Sequence, residues 1–289
     1  MTERIAIVGG GKIGEALLAG LIQSGKQTKN LVVAEKVPSR AKEIADEYGV
    51  LVTDLTSAAE GAQYVFLAIK PDDVDSVLRQ LAGAEDNAES ERVTVTLVAG
   101  LPISRYENAL QAGSPVVRVM ANTPMLVNEA MSAVSAGRYV SDEQLAAVTA
   151  LLETVGRVAV VPEKQMDAVT AVSGSGPAYI FLMAEAMIDA GVALGLTRMQ
   201  ATELTVQTVK GAGLLMSESG LSPVDLRAAV TSPGGTTAAA IREFEANGLR
   251  HGVYQATRAC AMVSAKGRLR PDVEGLTGSG GTRGDSDTP

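Results

Sequence analysis

The stretch Arg4-Ile5-Ala6-Ile7-Val8-Gly9-Gly10-Gly11-Lys12-Ile13-Gly14 decides the fold. Arg4–Val8 reads as a buried strand, and the apolar spacing of Ile13–Ser24 reads as a helix. Between them Gly9, Gly11 and Gly14 fit the pattern G-x-G-x-x-G, in the strand–turn–helix context that a dinucleotide-binding turn requires. Gly9 permits the tight turn, Gly11 lets the backbone approach a pyrophosphate, and Gly14 lets helix and strand pack closely. The helix N-terminus at Lys12 and Ile13 supplies an anion site. The next strand, Leu31–Ala34, runs into Glu35, about twenty residues on, where an acidic side chain meets the ribose of such a cofactor. Glu35 suits the 2′-hydroxyl of NAD, whereas Lys36 and Arg40, which follow it, suit the 2′-phosphate of NADP. The two signals stand side by side: NADP is the expected cofactor, and NAD stays open.

Outward from this turn, short apolar strands alternate with helices. Strands are expected at Tyr64–Ile69, Val93–Val98, Val116–Met120, Met131–Ser135 and Arg157–Val161, with helices at Ser39–Tyr48, Asp72–Leu81 and Asp142–Thr154. Strands that are apolar throughout and separated by helices imply a mostly parallel sheet covered on both faces. After Pro162 strands disappear, and helical runs follow at Glu163–Val172, Pro177–Leu196, Met199–Ser217, Pro223–Thr231, Thr236–Ala246 and Leu249–Lys266. The expected class is α/β: a Rossmann-type, mostly parallel sheet over residues 1–161, followed by an all-helical dimerisation domain over residues 162–275. Residues 276–289 are rich in Gly, Ser and Asp and read as a disordered tail, and the acidic stretch Ala84–Arg92 as a solvated loop. Ala178–Leu196 is apolar nearly all round, so it must be buried on every side. The helical domain has too few residues to surround it within one chain, and a homo-oligomer sharing this core is expected.

The 289 residues suffice for about two domains, and 46% hydrophobic residues for a sizeable core. A net charge of −8 argues against a nucleic-acid partner. A single cysteine, Cys260, and a single histidine, His251, exclude a Cys/His metal cluster, and no metal is expected. No signal or transit pattern opens the sequence. The most apolar run carries Glu185 and Asp189 near its middle, and a carboxylate at a membrane centre costs ~2.5–3.5 kcal/mol. A cytoplasmic protein with no membrane partner is therefore expected.

Two small-residue stretches carry the chemistry of the second half. Ser232-Pro233-Gly234-Gly235-Thr236-Thr237 ends one helix and opens another. The new helix begins with unpaired N–H groups and two hydroxyls, a receptor for a small carboxylate. A threonine-capped corner without a ligand accounts for the same residues. Ser173-Gly174-Ser175-Gly176-Pro177-Ala178-Tyr179 precedes the most apolar helix. Its small residues let helices cross closely, and Ser175 also suits a polar wall for a substrate beside a nicotinamide. Ala68-Ile69-Lys70-Pro71 closes the strand Tyr64–Ile69. Pro71 suits a first helical turn, and Lys70 lies at the strand end where open sheets bind ligands, although a plain surface lysine is the alternative. Val98-Ala99-Gly100 and Asn122-Thr123-Pro124 end their strands similarly, Ala99 leaving room for a flat ring. Ala68, Lys70, Pro71, Ala99 and Asn122 thus join the expected cofactor contacts.

Three stretches together resemble the pyrroline-5-carboxylate reductases: Val8-Gly9-Gly10-Gly11-Lys12-Ile13-Gly14-Glu15-Ala16-Leu17, Ser173–Tyr179, and Val230-Thr231-Ser232-Pro233-Gly234-Gly235-Thr236-Thr237. Ala68–Pro71 and Met120–Pro124 fall in the expected order between them. The resemblance spans residues 4–270, and Ser232–Thr237 is its specific part. It implies NAD(P)H-dependent reduction of the cyclic imine 1-pyrroline-5-carboxylate to L-proline, the last step of proline biosynthesis. It implies that Thr237 directs its hydroxyl at the pyrroline nitrogen, and that Ser232 with the backbone around Gly234, Gly235 and Thr236 holds the carboxylate. Thr236 stands where many relatives carry Ala or another small residue, which leaves open which threonine faces the ring. The resemblance also implies a homodimer of interlocked helical domains, assembled further into a decamer of five dimers.

Two other functions fit the dinucleotide turn. A two-domain dehydrogenase acting on 3-hydroxy acids needs a catalytic Lys on the helix after a Gly-rich segment, and Ala178–Leu196 contains none. A dinucleotide sensor without catalysis has no need of Ser232–Thr237.

Overall fold

Alternate residues of strand β1 (Ile5–Val8) face opposite sides of a sheet, and all four are buried. Ile5 and Ile7 pack with Leu17, Leu18 and Leu21 of helix α1 (Lys12–Gln23). Ala6 and Val8 join a second cluster on the other face, with Leu55, Ala58 and Leu78. This two-sided burial is why the strands read as continuous apolar runs. The computed structural model describes residues 3–83 and 92–266. The expected tail, and the acidic stretch except for Arg92, lie outside the described residues.

Strands β2 (Leu31–Ala34), β3 (Leu51–Thr53), β4 (Tyr64–Leu67), β5 (Val93–Thr96), β6 (Val116–Met120), β7 (Ala130–Ala136) and β8 (Gly156–Val160) complete the sheet. Its order is β3-β2-β1-β4-β5-β6-β7-β8. Helices α2 (Pro38–Tyr48), α3 (Leu55–Ala59), α4 (Val74–Gly83), α5 (Ile103–Glu107) and α6 (Asp142–Glu153) connect the strands. The chain leaves β1 for β2 and β3, then returns to place β4 on its other side. The C-terminal ends of β1, β2 and β4 therefore surround a crevice of the kind that binds ligands in open sheets.

The sheet is mostly parallel, as expected, with one reversed pair: β7 runs antiparallel to β6, with Val117 opposite Ala136 and Met120 opposite Ala133. Only a 3₁₀ turn at Thr123–Val127 joins the two strands, too short for the crossover that a parallel pair requires. Strand β3 and the short helices α3 and α5 go beyond the expected elements. Strand β3 follows Gly49, a left-handed C-cap at φ 63°, and α3 is capped by Asp54, whose side chain accepts from Ser57 N at 3.0 Å.

Beyond Val160 the described chain is helical. The expected continuous helix Glu163–Val172 is instead a 3₁₀ turn, a short helix α7 (Met166–Val169) and a π turn at Thr170–Gly174. Then come α8 (Gly176–Ala193), α9 (Arg198–Glu218), α10 (Pro223–Ala229), α11 (Thr236–Ala246) and α12 (Leu249–Lys266). Glu163 pins this region to the sheet, its carboxylate accepting from Ile103 N at 2.7 Å and from the buried Arg118 guanidinium at 3.1 Å. The helix expected to be buried on every side has no buried residue within the protomer: Phe181 is 65% exposed and Leu194 88%. Among the described residues, α9 and the turn at Thr170–Gly174 pack most against α8, and they leave the rest of its surface open. The run Glu163–Ala193 is long and apolar enough to cross a membrane by length and composition alone, although Asp189 near its end is paired with Arg198 at 2.7 Å.

Candidate active site

The glycine turn is built as its spacing requires. Gly9 adopts φ 100°, and a side chain there would strike Ala68 O at 2.5 Å. A Cβ on Gly14 would lie 2.0 Å from Gly9 O, so only glycine lets α1 approach β1 this closely. Gly11 is different. A Cβ on it meets nothing within 4 Å, and Gly11 lines the crevice, so a side chain there would only narrow that space. It is also the N-cap of α1, without a side-chain cap, so the first-turn N–H groups remain available to an anion.

The crevice has a volume of about 720 Å³, and Gly9, Gly11, Glu35, Lys36, Ala68 and Lys70 of the expected cofactor contacts line it. It also takes in Val52, Thr53 and Asp54 from the end of β3, and Asp73 and Val77 from the start of α4 and just before it. Sequence reasoning missed these residues. The signal for the first group was the apolar run Val50-Leu51-Val52 between Gly49 and the capping Asp54.

Glu35 does not turn away from the site. One carboxylate oxygen accepts from Gly10 N and the other from Val37 N, both at 2.8 Å. Lys36 pairs with Asp73 at 2.8 Å, and this hydrogen bond, reinforced by the charges of Asp73 and Glu35, holds its ammonium above the usual lysine range. Arg40, expected at a 2′-phosphate, is engaged within the protein and does not line the crevice. Its Nε donates to Gly10 O at 2.8 Å, and its guanidinium pairs with Glu43 at 3.0 Å and with Glu15. Arg40 thus braces the glycine turn. Burial and then the charge of Glu15 push Tyr48 up to about 12, so its phenol stays a donor to Glu15.

Lys12, Ile13, Pro71, Ala99 and Asn122 do not line the crevice either. Asn122, at the C-terminal end of β6, is buried and has both ends of its amide occupied. Nδ2 donates to Ser173 O at 3.1 Å, and Oδ1 accepts from Met131 N at 2.9 Å. It is a joint that brings Ser173-Gly174-Ser175 to the sheet edge where the parallel strands β1, β4, β5 and β6 all end. Next to that joint, the Ser175 hydroxyl lies 3.3 Å from the Cys260 thiol of α12. Tyr179, one turn on, has its phenol raised first by burial and then by Cys260.

Ser232–Thr237 folds as a turn feeding a helix. Gly235 N donates to Ser232 O at 3.0 Å, with Pro233 second and Gly234 third at φ 71°, the residue pattern of a type II turn. Gly235 is the N-cap of α11, with no side-chain cap, and the first intrahelical bond runs from Ala239 N to Gly235 O. Since the Gly235 N–H is committed to the turn, the N–H groups left for a carboxylate are those of Thr236, Thr237 and Ala238. Ser232, Gly234 and Thr236 are exposed, Thr237 is half-buried, and none of them lines the cofactor crevice of the protomer.

Comparison with known proteins bears on both halves. A family described as pyrroline-5-carboxylate reductase dimerisation matches residues 163–266, and one described as NADP oxidoreductase, coenzyme F420-dependent, matches residues 4–100. A pyrroline-5-carboxylate reductase of Mycobacterium leprae is 50% identical over 285 residues, covering 92% of this chain and 97% of that one. The structure of a pyrroline-5-carboxylate reductase from Coxiella burnetii superposes with a TM-score of 0.87 at 34% identity, covering 92% of this chain and 98% of that one. A pyrroline carboxylate reductase of Plasmodium falciparum, solved with NADP bound, has a TM-score of 0.80 at 28% identity, over 91% of this chain and 97% of that one.

Proposed function

Because the chain belongs to the pyrroline-5-carboxylate reductase family, we propose how its residues divide the reaction of that family, NAD(P)H-dependent reduction of 1-pyrroline-5-carboxylate to L-proline. The chain is an oxidoreductase of proline biosynthesis that uses NADP(H). When bound, the dinucleotide would supply a hydride to the imine carbon and be left as NAD(P)⁺; with a proton from solvent on the nitrogen, the C=N double bond would become a single bond. The glycine turn and the start of α1 hold the pyrophosphate, Glu35 and Lys36 meet the adenosine ribose, and Lys70 lies farther along the crevice. The substrate carboxylate sits on the N–H groups of Thr236, Thr237 and Ala238, with Ser232 beside it, and the Thr237 hydroxyl faces the pyrroline nitrogen. Ser175 forms part of the wall. The observation that carries this assignment is the uncapped start of α11, preorganised by the turn at Ser232–Gly235.

Residues 163–266 form a dimerisation domain, and the exposed face of α8 and α9 supports a homodimer that buries it against a second copy. The boundary near residue 162 follows the end of β8 at Val160 and the start of the dimerisation match at 163. The exposure of Ser232, Gly234 and Thr236 supports a site whose two halves meet only in the assembled dimer. A decamer of five dimers is the further assembly, and the cytoplasm, where the free thiol of Cys260 stays reduced, is the compartment. A turnover assay with 1-pyrroline-5-carboxylate and NADPH, following both cofactor oxidation and proline, tests the assignment. Proline should appear in step with NADP⁺; cofactor oxidation without proline would overturn the substrate assignment.

A further inference from the structure

We propose that Asp73 sets how strongly the enzyme discriminates between the 2′-phosphorylated and the unphosphorylated cofactor, by competing with the 2′-phosphate for Lys36. The proposal rests on the assignment of the crevice between β1, β2 and β4 to the adenosine half of the cofactor. Three carboxylates, Glu35, Asp54 and Asp73, and two ammonium groups, Lys36 and Lys70, line that crevice. Glu35 is fixed at the ribose end by Gly10 N and Val37 N, so a phosphate on the 2′-oxygen arrives beside a carboxylate that does not move off. Such a dianion needs a cation within hydrogen-bond reach.

Of the two basic residues beside Glu35, Arg40 is occupied by Glu15, Glu43 and the Gly10 carbonyl, outside the crevice. Lys36 is therefore the cation that the 2′-phosphate meets. It reaches across from the end of β2 to Asp73, at the end of the 3₁₀ turn after β4, and the two side chains, both lining the crevice, meet at 2.8 Å. A cofactor without the 2′-phosphate leaves this pair intact. A 2′-phosphorylated cofactor must draw Lys36 off Asp73, and brings its own charge next to both Asp73 and Glu35. The dinucleotide turn and Glu35 thus set the position of the ribose, and Asp73 sets the electrostatic cost of the phosphate. The Lys36 side chain is largely exposed, so the competition has the size of a surface ion pair.

Titration calorimetry with 2′,5′-ADP and with ADP, at low salt, isolates this step from turnover. Asp73→Asn should tighten binding of 2′,5′-ADP roughly three- to fivefold and leave ADP within about twofold, the range expected for an exposed pair. Lys36→Ala should weaken 2′,5′-ADP selectively, and the gain from Asp73→Asn should vanish in the Lys36→Ala background. Asp75→Asn removes an equal charge that pairs with Arg105, outside the crevice, and should leave the ratio of the two affinities unchanged. The proposal is overturned if Asp73→Asn leaves that ratio unchanged, if Asp75→Asn raises it equally, or if the gain persists without Lys36. Failure of the wild-type protein to bind either nucleotide would instead overturn the crevice assignment, and the proposal with it.

Discussion

Thr237 is the second residue of α11, half-buried, while Thr236 before it is exposed. A hydroxyl at this position strengthens its hydrogen bond as charge changes on the pyrroline nitrogen, so its loss acts on kcat more than on binding. Thr237→Ala should fold and bind NADPH normally and lose ~10²–10³ in kcat, the size of removing one preorganised donor, while Thr237→Ser keeps a good part. Thr236→Ala keeps the backbone N–H and should change KM only slightly with kcat nearly intact; steady-state kinetics of the three variants that reversed this pattern would assign the role to Thr236. At the other half of the site, Lys36 and Arg40 are neighbours in sequence with different tasks. Lys36→Ala should weaken NADPH and spare NADH. Arg40→Ala should weaken both cofactors alike, because the guanidinium braces the Gly10 carbonyl and not a phosphate. A selective loss of NADPH on Arg40→Ala would show that its pairing with Glu15 and Glu43 opens when cofactor binds.

Among the elements, the glycine turn and the Asn122 joint fix where the two halves of the site sit. Gly14→Ala places a methyl 2.0 Å from Gly9 O, so α1 must move off β1. Overpacking of this kind costs ~1–3 kcal/mol, and cofactor affinity should fall together with the melting temperature. A variant with wild-type affinity would mean that the turn absorbs the shift. Asn122→Ala leaves Ser173 O and Met131 N without this partner in a part-buried place, at a cost of at most ~1–3 kcal/mol. Its signature should be a lower melting temperature with a raised KM for the substrate, since the Ser173–Ser175 segment loses its anchor to β6. Unchanged KM in the folded variant would leave Asn122 a purely structural joint.

For the molecule as a whole, the unresolved demand is the apolar face of α8 and α9. Ile180 is 52% exposed and Met187 40% within the protomer, on a helix with no buried residue. Exposed apolar area on this scale marks an interface. Ile180→Asp or Met187→Asp should give insoluble or unfolded protein, because an aspartate in that interface has no partner and α8 has no buried residue within the protomer. Sedimentation decides the point: a stable, active monomer would defeat the dimer. In wild-type protein, a species of ten 29.8 kDa chains would establish the decamer, and a species of two would limit the assembly to the dimer.

What the sequence determined by itself was carried by local spacing. The glycines at 9, 11 and 14, the two-sided strands and the break at Ser232–Thr237 act over a few residues, so their periods and residue types suffice to read the sheet, the helical half, the cofactor turn and the family. What the tertiary structure decided depends on residues that are neighbours only in space. The reversal of β7, the edge strand β3, the bracing role of Arg40, the meeting of Lys36 with Asp73 and the use of both ends of Asn122 follow from which chain segments pack together. Lys36 and Asp73 are 37 residues apart and come within 2.8 Å only because β2 and β4 flank the same strand. No spacing rule encodes that distance. Packing of one strand against two others does.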